Sequence, residues 1–454
     1  MTDSVNIREL ALDTLVSVME HGELSHVTVR QTLKKYQYLD KRDRSFYTRI
    51  SEGTIENCIL IDYVIDRVSN IKTAKMKPLI RNLLRVSVYQ ILFMDSVPDS
   101  AVCNEAVKLA VKRGFGPLKG FVNGVLRNIA RRKDDIQLPD ASEDLVMNLS
   151  VTYSMPVWLV EKFIFQYGAE DASILLKSFL NHDNRICVRC NTARAEIADI
   201  IKMLEEDEVK VTVSNRYSNA LFIEEFDYLE KVKAFNEGYL QVQDISSMLV
   251  ACAAMPKDDD FIMDICAAPG GKTIHLADLT HGKAKILARD VSEQKTELIE
   301  ENIARAGFAN VETEVWDGTV EDERYFEKAD IVVADVPCSG LGVIGKKPDI
   351  KYNASEEGCK SLVKLQRKIC EVAVKYVKPG GTFVYSTCTI NKDENEKNFR
   401  WMVENFDLEP MDITACMPQS LRCDSMKEGF VQILPDTMGS DGFFIAAMKK
   451  KMHG

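Results

Sequence analysis

The chain has 454 residues, 46% hydrophobic and 28% charged, an ordinary globular composition that excludes a disordered polymer or a single small module. Its net charge of −11 is unevenly spread: residues 1–140 carry 22 Lys and Arg against 17 Asp and Glu, which leaves 36 against 52 for the rest. That partition suits a basic module that holds a polyanion joined to an acidic one that does chemistry.

No apolar run approaches the ~20 residues needed to span a bilayer. The start, Met1-Thr2-Asp3-Ser4, is acidic rather than basic, and the 12 cysteines form no dense framework. A cytoplasmic protein with reduced thiols and no membrane insertion is expected.

Residues 1–137 read as helical. Ile7, Leu10, Ala11, Leu15 and Val18 recur at helical spacing, and Leu83, Leu84, Val88, Ile91 and Leu92 do so again after Pro78. Basic residues gather at 41–49, at 72–85 (Lys72, Lys75, Lys77, Arg81, Arg85) and at 108–133, ending in Arg127, Arg131, Arg132 and Lys133. One such cluster is an ordinary solvated helix face; three in an otherwise acidic chain point to phosphate contacts.

The polar stretch 138–143 marks a boundary, and residues 146–250 then mix helical and alternating patterns, as a small α+β module would. Cys187 and Cys190 form a lone C-x-x-C without the second pair that a zinc site wants. On an alternating strand they point to opposite faces, so core packing is expected and no metal site.

From 251 to 454 strands and helices alternate, the mark of a parallel sheet wrapped by helices. Strands are expected at 261–265, 284–290, 311–316, 331–334, 382–385, 431–434 and 443–448, with Pro379-Gly380-Gly381 as a turn before the fifth. Ligands in such sheets sit beyond the carboxyl ends of the strands. The segment Cys266-Ala267-Ala268-Pro269-Gly270-Gly271-Lys272 follows the first strand, where small residues let a bound molecule approach the backbone. It misses the phosphate-loop pattern by one glycine, and Pro269 removes a backbone N–H from any phosphate cradle. A nucleotide hydrolase is therefore a competitor. Asp290, Asp317 and Asp335 follow strands two, three and four; three carboxylates repel a triphosphate but suit a cationic nucleoside such as S-adenosylmethionine.

Cys338, in Asp335-Val336-Pro337-Cys338-Ser339-Gly340, and Cys388, in Ser386-Thr387-Cys388-Thr389-Ile390, reach the same sheet edge. A thiolate added to C6 of a pyrimidine makes C5 nucleophilic enough to take a methyl group from a sulfonium, and an acid near N3 stabilises the charge that develops. Either thiol could be the nucleophile on this chemistry alone.

These motifs resemble the signatures of RNA cytosine-C5 methyltransferases, and nearly the whole chain is similar to the bacterial RsmB (Sun or Fmu) family of 16S ribosomal RNA cytosine-967 methyltransferases. Phe121-Val122-Asn123-Gly124-Val125-Leu126-Arg127 resembles part of that family's NusB-like helical RNA-binding domain. The resemblance implies a Rossmann-like class I methyltransferase domain over 251–454, a small α+β linking module over 146–250 and a NusB-like domain over 1–137. It implies Cys388 as nucleophile, Cys338 as the thiol that assists product release, and Asp335 at the base. Residues 266–272, Asp290, Asp317 and Asp335 would hold S-adenosylmethionine. The implied partner is 16S ribosomal RNA, and a monomer without metal is expected. A non-catalytic RNA-binding or assembly protein is the remaining alternative.

Overall fold

The computed structural model describes residues 5–181, 185–435 and 439–452; the acidic start at 1–4 lies outside them. The chain forms two compact units, Met1–Leu180 with Ile344–Asn353, and Asn181–Val343 with Ala354–Gly454.

The first unit is helical. In the helix Ile7–His21, Asn6 caps the amino end by accepting from the backbone N–H groups of Arg8 and Glu9, and Gly22, at φ 74°, closes the carboxyl end in the left-handed conformation that suits glycine. Ile7, Ala11, Leu15 and Val18 are buried, and Leu83, Leu84, Val88 and Ile91 of the helix Pro78–Phe93 join the same core. Several bases expected to meet phosphates are instead paired within the unit: Arg81 with Glu20, Arg85 with Asp62, Lys108 with Glu105, Lys112 with Glu9, Arg113 with Asp13 and Lys133 with Asp99. Among the described residues, Lys75, Lys77, Lys119, Arg127, Arg131 and Arg132 have no carboxylate partner, and all six are exposed.

Helices Leu145–Thr152, Val157–Tyr167 and Ala169–Ser178 are compact with the first unit. The physical reason is packing. Ser154 Oγ accepts from the backbone N–H of Ile59 at 2.9 Å, and the buried rings of Phe163 and Phe179 pair at 6.4 Å. Residues 344–353 are compact with this unit as well; the buried Lys351 donates to the Glu56 carbonyl at 2.6 Å, and Asp349 accepts from Ser25.

The second unit starts with an antiparallel sheet of β1 (Ile186–Cys190), β2 (Lys210–Val213), β3 (Ala220–Glu224) and β4 (Leu240–Val242), in the order β2-β3-β1-β4. Cys190 packs on one face among Val188, Ile200 and Leu204, while Cys187 packs into a different cluster, as alternation requires.

The larger sheet contains β5 (Phe261–Asp264), β6 (Lys285–Asp290), β7 (Val311–Val315), β8 (Ala329–Asp335), β9 (Val377–Thr387), β10 (Leu408–Pro410), β11 (Phe430–Ile433) and β12 (Phe443–Lys450). Its order is β10-β12-β9-β8-β5-β6-β7, with β11 beside β12. β7, β6, β5, β8 and β9 run parallel, and β12 is antiparallel to β9. The chain winds outward from β5 in one direction and then crosses to β8, so the topological switch point lies between β5 and β8. Pro379-Gly380-Gly381 is not a turn before a strand. It is a bulge inside β9: Val377 pairs with Ala329 while Thr382 pairs with Ile331, and Gly380 takes up the excess at φ 77°. Among the described residues no helix is long and apolar enough to cross a membrane.

Candidate active site

The loops beyond the carboxyl ends of β5, β6, β8 and β9 build one site. After β5 the chain turns through 266–270 into the helix Gly271–Leu279. Gly270 has φ 95°, and a Cβ there would meet Ile299 at 3.3 Å, so the position needs glycine for both its backbone and its neighbour. Asp290, at the end of β6, fixes this turn: it accepts from the Ala268 and Val291 N–H groups at 3.0 and 2.8 Å and from Lys295 at 2.9 Å. Asp317 lies in the exposed turn after β7, where its carboxylate accepts from the Thr319 N–H and hydroxyl, bonds that hold its pKa below the usual range. The next residue, Gly318, is pressed toward the β5 end; a Cβ there would stand 3.1 Å from Ile265.

Asp335 ends β8 with both oxygens engaged. Ser386 donates to Oδ1 at 2.7 Å, and Lys272 Nζ donates to Oδ2 at 2.6 Å. Burial works against the charge on Lys272, but the Asp335 carboxylate outweighs it and keeps the lysine's pKa above its ordinary value. An ammonium committed in this way is not the phosphate ligand that a nucleotide hydrolase would place at this position. Burial first, then the charges of Asp290 and Asp264, push the Cys266 thiol well up.

The two other cysteines meet: Cys338 Sγ and Cys388 Sγ are 3.2 Å apart, a hydrogen-bonding distance between thiols. The bond to Cys388, then burial, then the charge of Glu394 push the Cys338 thiol well above its ordinary pKa. Cys388 is among the groups whose negative charge raises the pKa of Lys272; by reciprocity, the lysine's ammonium favours the thiolate of Cys388.

Asp264 opens the signature segment that runs to Thr273, but sequence reading gave it no role of its own. It is fully buried at the end of β5, its Oδ2 accepts from Thr273 at 2.7 Å, and its Oδ1 has no hydrogen-bond partner. A buried acceptor left open beside a small-residue turn fits a ligand that brings N–H donors and positive charge, as the methionine end of S-adenosylmethionine does. The signal was available in the sequence, since Asp264 is an acid closing an otherwise apolar strand. Burial is the main cause that pushes its carboxyl up to about 7. Because the folded-state value lies above the unfolded one, the stability this group contributes is fully present below pH ~4 and lost as pH rises through about 7. Asp264→Asn is expected to flatten that loss, as read from denaturation midpoints measured between acidic and alkaline pH.

A sheet of this order, with a glycine turn after the first parallel strand and paired thiols at the switch-point edge, defines a Rossmann-like methyltransferase domain carried with a helical unit. The family model described as 16S rRNA methyltransferase RsmB/F matches residues 251–449, the NusB family model matches 5–131, and the RsmF/B-like ferredoxin-like domain matches 155–227. The chain is 34% identical over 449 residues to the probable ribosomal RNA small subunit methyltransferase B of Bacillus subtilis (strain 168), covering 98% of this chain and 99% of that protein. It is 29% identical to the corresponding protein of Synechocystis sp., over 98% of this chain and all of that one. The crystal structure of PH0851 superposes with a TM-score of 0.82 at 29% identity, covering 98% of this chain and 99% of that one. The chain belongs to the RsmB family of ribosomal RNA small subunit methyltransferases, S-adenosylmethionine-dependent enzymes.

Proposed function

We propose that the protein methylates C5 of a cytosine in 16S ribosomal RNA, the family's cytosine-967, through a transient bond between Cys388 and C6. The observation that carries this reading is the pair of thiols 3.2 Å apart beside the Lys272–Asp335 ion pair. S-adenosylmethionine supplies the methyl group. Residues 266–272, Asp264, Asp290 and Asp317 would hold it, with the open Asp264 oxygen directed to its cationic end.

The chain's own groups do the rest. Cys388, its thiolate favoured by Lys272, adds to C6. Asp335, held by Lys272 and Ser386, would accept from the exocyclic amino group of the cytosine, and the Lys272 ammonium beside it would offset the negative charge that develops on the ring. Cys338 keeps its proton and donates a hydrogen bond to the Cys388 sulfur as that sulfur departs. The base has to be presented unstacked, because C6 cannot be reached inside a helix. Residues 1–137 supply RNA affinity, and 251–454 the chemistry. The test is incubation of unmodified 16S RNA with protein and methyl donor, followed by bisulfite sequencing. One newly protected cytosine is the expected result, and methyl incorporation elsewhere than at cytosine C5 overturns the reading.

The bases left unpaired sharpen the RNA claim. Replacing Arg127, Arg131 and Arg132 together by Ala is expected to reduce the slope of log affinity against log salt by roughly 2 to 3. Replacing Lys112 and Arg113, already paired with Glu9 and Asp13, is expected to change it far less. Equal effects in a filter-binding titration would refute the distinction.

A further inference from the structure

The two cysteine loops share an anchor that does not face the reacting atoms. Glu394 lies in the turn before the helix Glu396–Asn405 and is fully buried. Its Oε2 accepts from the Ser339 N–H at 2.9 Å and from Gln366 Nε2 at 2.8 Å; its Oε1 accepts from Ser339 Oγ at 2.5 Å and from Asn391 Nδ2 at 2.9 Å. Gln366, on the helix Glu356–Ala373, also donates to the Pro337 carbonyl at 2.9 Å. The residues on both sides of Cys338 are therefore fastened to one carboxylate and its glutamine partner. The Cys388 loop is tied in as well, because Ser339 Oγ lies 2.8 Å from Thr389 Oγ1.

No ion pair to Glu394 is found among the described residues, and these four donors satisfy its two oxygens. A buried carboxylate without a cation is costly to keep and is retained where its donors must be held in place.

We infer that Glu394 is the positioning residue for Cys338, setting the thiol against Cys388 for the release of methylated RNA. The inference rests on the assignment of Cys388 as nucleophile and Cys338 as release thiol. In the release step a base takes the proton from C5, its electron pair closes the C5–C6 double bond, and the pair of the C6–S bond returns to Cys388. Cys338 S–H stabilises that departing sulfur only if it points at it. Addition and methyl transfer come earlier and do not need Cys338.

Glu394→Gln places an amide NH2 where one oxygen now meets two donors, so two of the four bonds are lost and the loop shifts. The expected result is a first-turnover methyl incorporation close to that of the unaltered protein, a steady-state rate lowered roughly 10- to 100-fold, and covalent protein–RNA adduct visible on denaturing gels. A purely structural defect would instead lower the first turnover and S-adenosylmethionine affinity together, without adduct, and that outcome overturns the inference. Ser339→Ala, which removes only the hydroxyl contacts, guards against misfolding: it is expected to give the same adduct at a lower level, and its absence from both variants overturns the inference. Cys338→Ala, run in parallel, separates the two claims. If it forms no adduct, the cysteine assignment itself fails; if it does and the Glu394 and Ser339 variants do not, only the role of Glu394 fails.

Discussion

Cys388→Ala is expected to lower methyl transfer by on the order of 10⁴-fold or more, as removal of a covalent nucleophile does, and to form no covalent complex with RNA. Cys338→Ala is expected to do the opposite to the complex, accumulating protein–RNA adduct while turnover stalls. The contrast follows from the roles proposed for the two sulfurs. The bond to Cys388, then burial, then the charge of Glu394 push the Cys338 thiol up. Cys388 shares its surroundings with the ammonium of Lys272. A nucleophile needs the thiolate, and a donor to a departing sulfur needs the proton. The measurement is a single-turnover assay with labelled methyl donor, resolved by denaturing electrophoresis. Adduct in the Cys388 variant and none in the Cys338 variant would reverse the roles. The Lys272→Met variant is a gradation of the same argument: without the ammonium the Cys388 thiolate is less populated near neutral pH, and the rate should climb with pH over a range where the unaltered protein is flat.

How much of this was legible before the structure depended on how far apart the partners lie in the chain. The glycine turn at 266–272 and the acids Asp290, Asp317 and Asp335 were readable because each belongs to a local pattern, an apolar run followed by a small or acidic residue, and parallel sheets put such strand ends on one edge. The thiols could be brought to that edge by the same rule, but their 3.2 Å separation could not be read from it. Glu394 was hidden for a physical reason. Asn391-Lys392-Asp393-Glu394-Asn395-Glu396 reads as a solvated charged loop, and its burial is made by Ser339 and Gln366, which lie 55 and 28 residues away. The contacts of 344–353 were hidden similarly, since nothing local in Asp349 or Lys351 announces that Ser25 and Glu56 are their partners. The bases at 81, 85, 112, 113 and 133 looked like a phosphate-binding surface because a count of charge does not reveal which acids they already face.

Arg189 is the strongest instance of such a hidden partner, and it carries the largest expected loss of stability. It sits on β1, fully buried, and forms an ion pair with Asp278 on the helix Gly271–Leu279 that begins at the glycine turn. Its Nε donates to Gln243 at 3.0 Å, while one guanidinium nitrogen, NH2, is left without a partner. Asp278 accepts in addition from the Ala193 N–H at 2.7 Å and the Thr192 hydroxyl at 3.2 Å, so one carboxylate joins the antiparallel sheet to the helix that follows the glycine turn. His275, on the same helix, is kept neutral by burial and then by the nearby Arg189 charge, so it adds no second buried cation. Asp278→Ala therefore strands a buried guanidinium and is expected to cost about 3–5 kcal/mol, read as a lowered denaturation midpoint and, at equal protein concentration, weaker S-adenosylmethionine binding. Converting both residues, Arg189→Leu with Asp278→Leu, removes the charge that was stranded and should recover most of the loss, because an apolar pair of similar volume carries no desolvation penalty. Recovery should stop short of full, since Ala193 and Thr192 still lack their acceptor. A double-mutant cycle whose coupling energy is near zero would mean that the pair is not held in the arrangement described, and the link between the small sheet and the glycine turn would have to lie elsewhere.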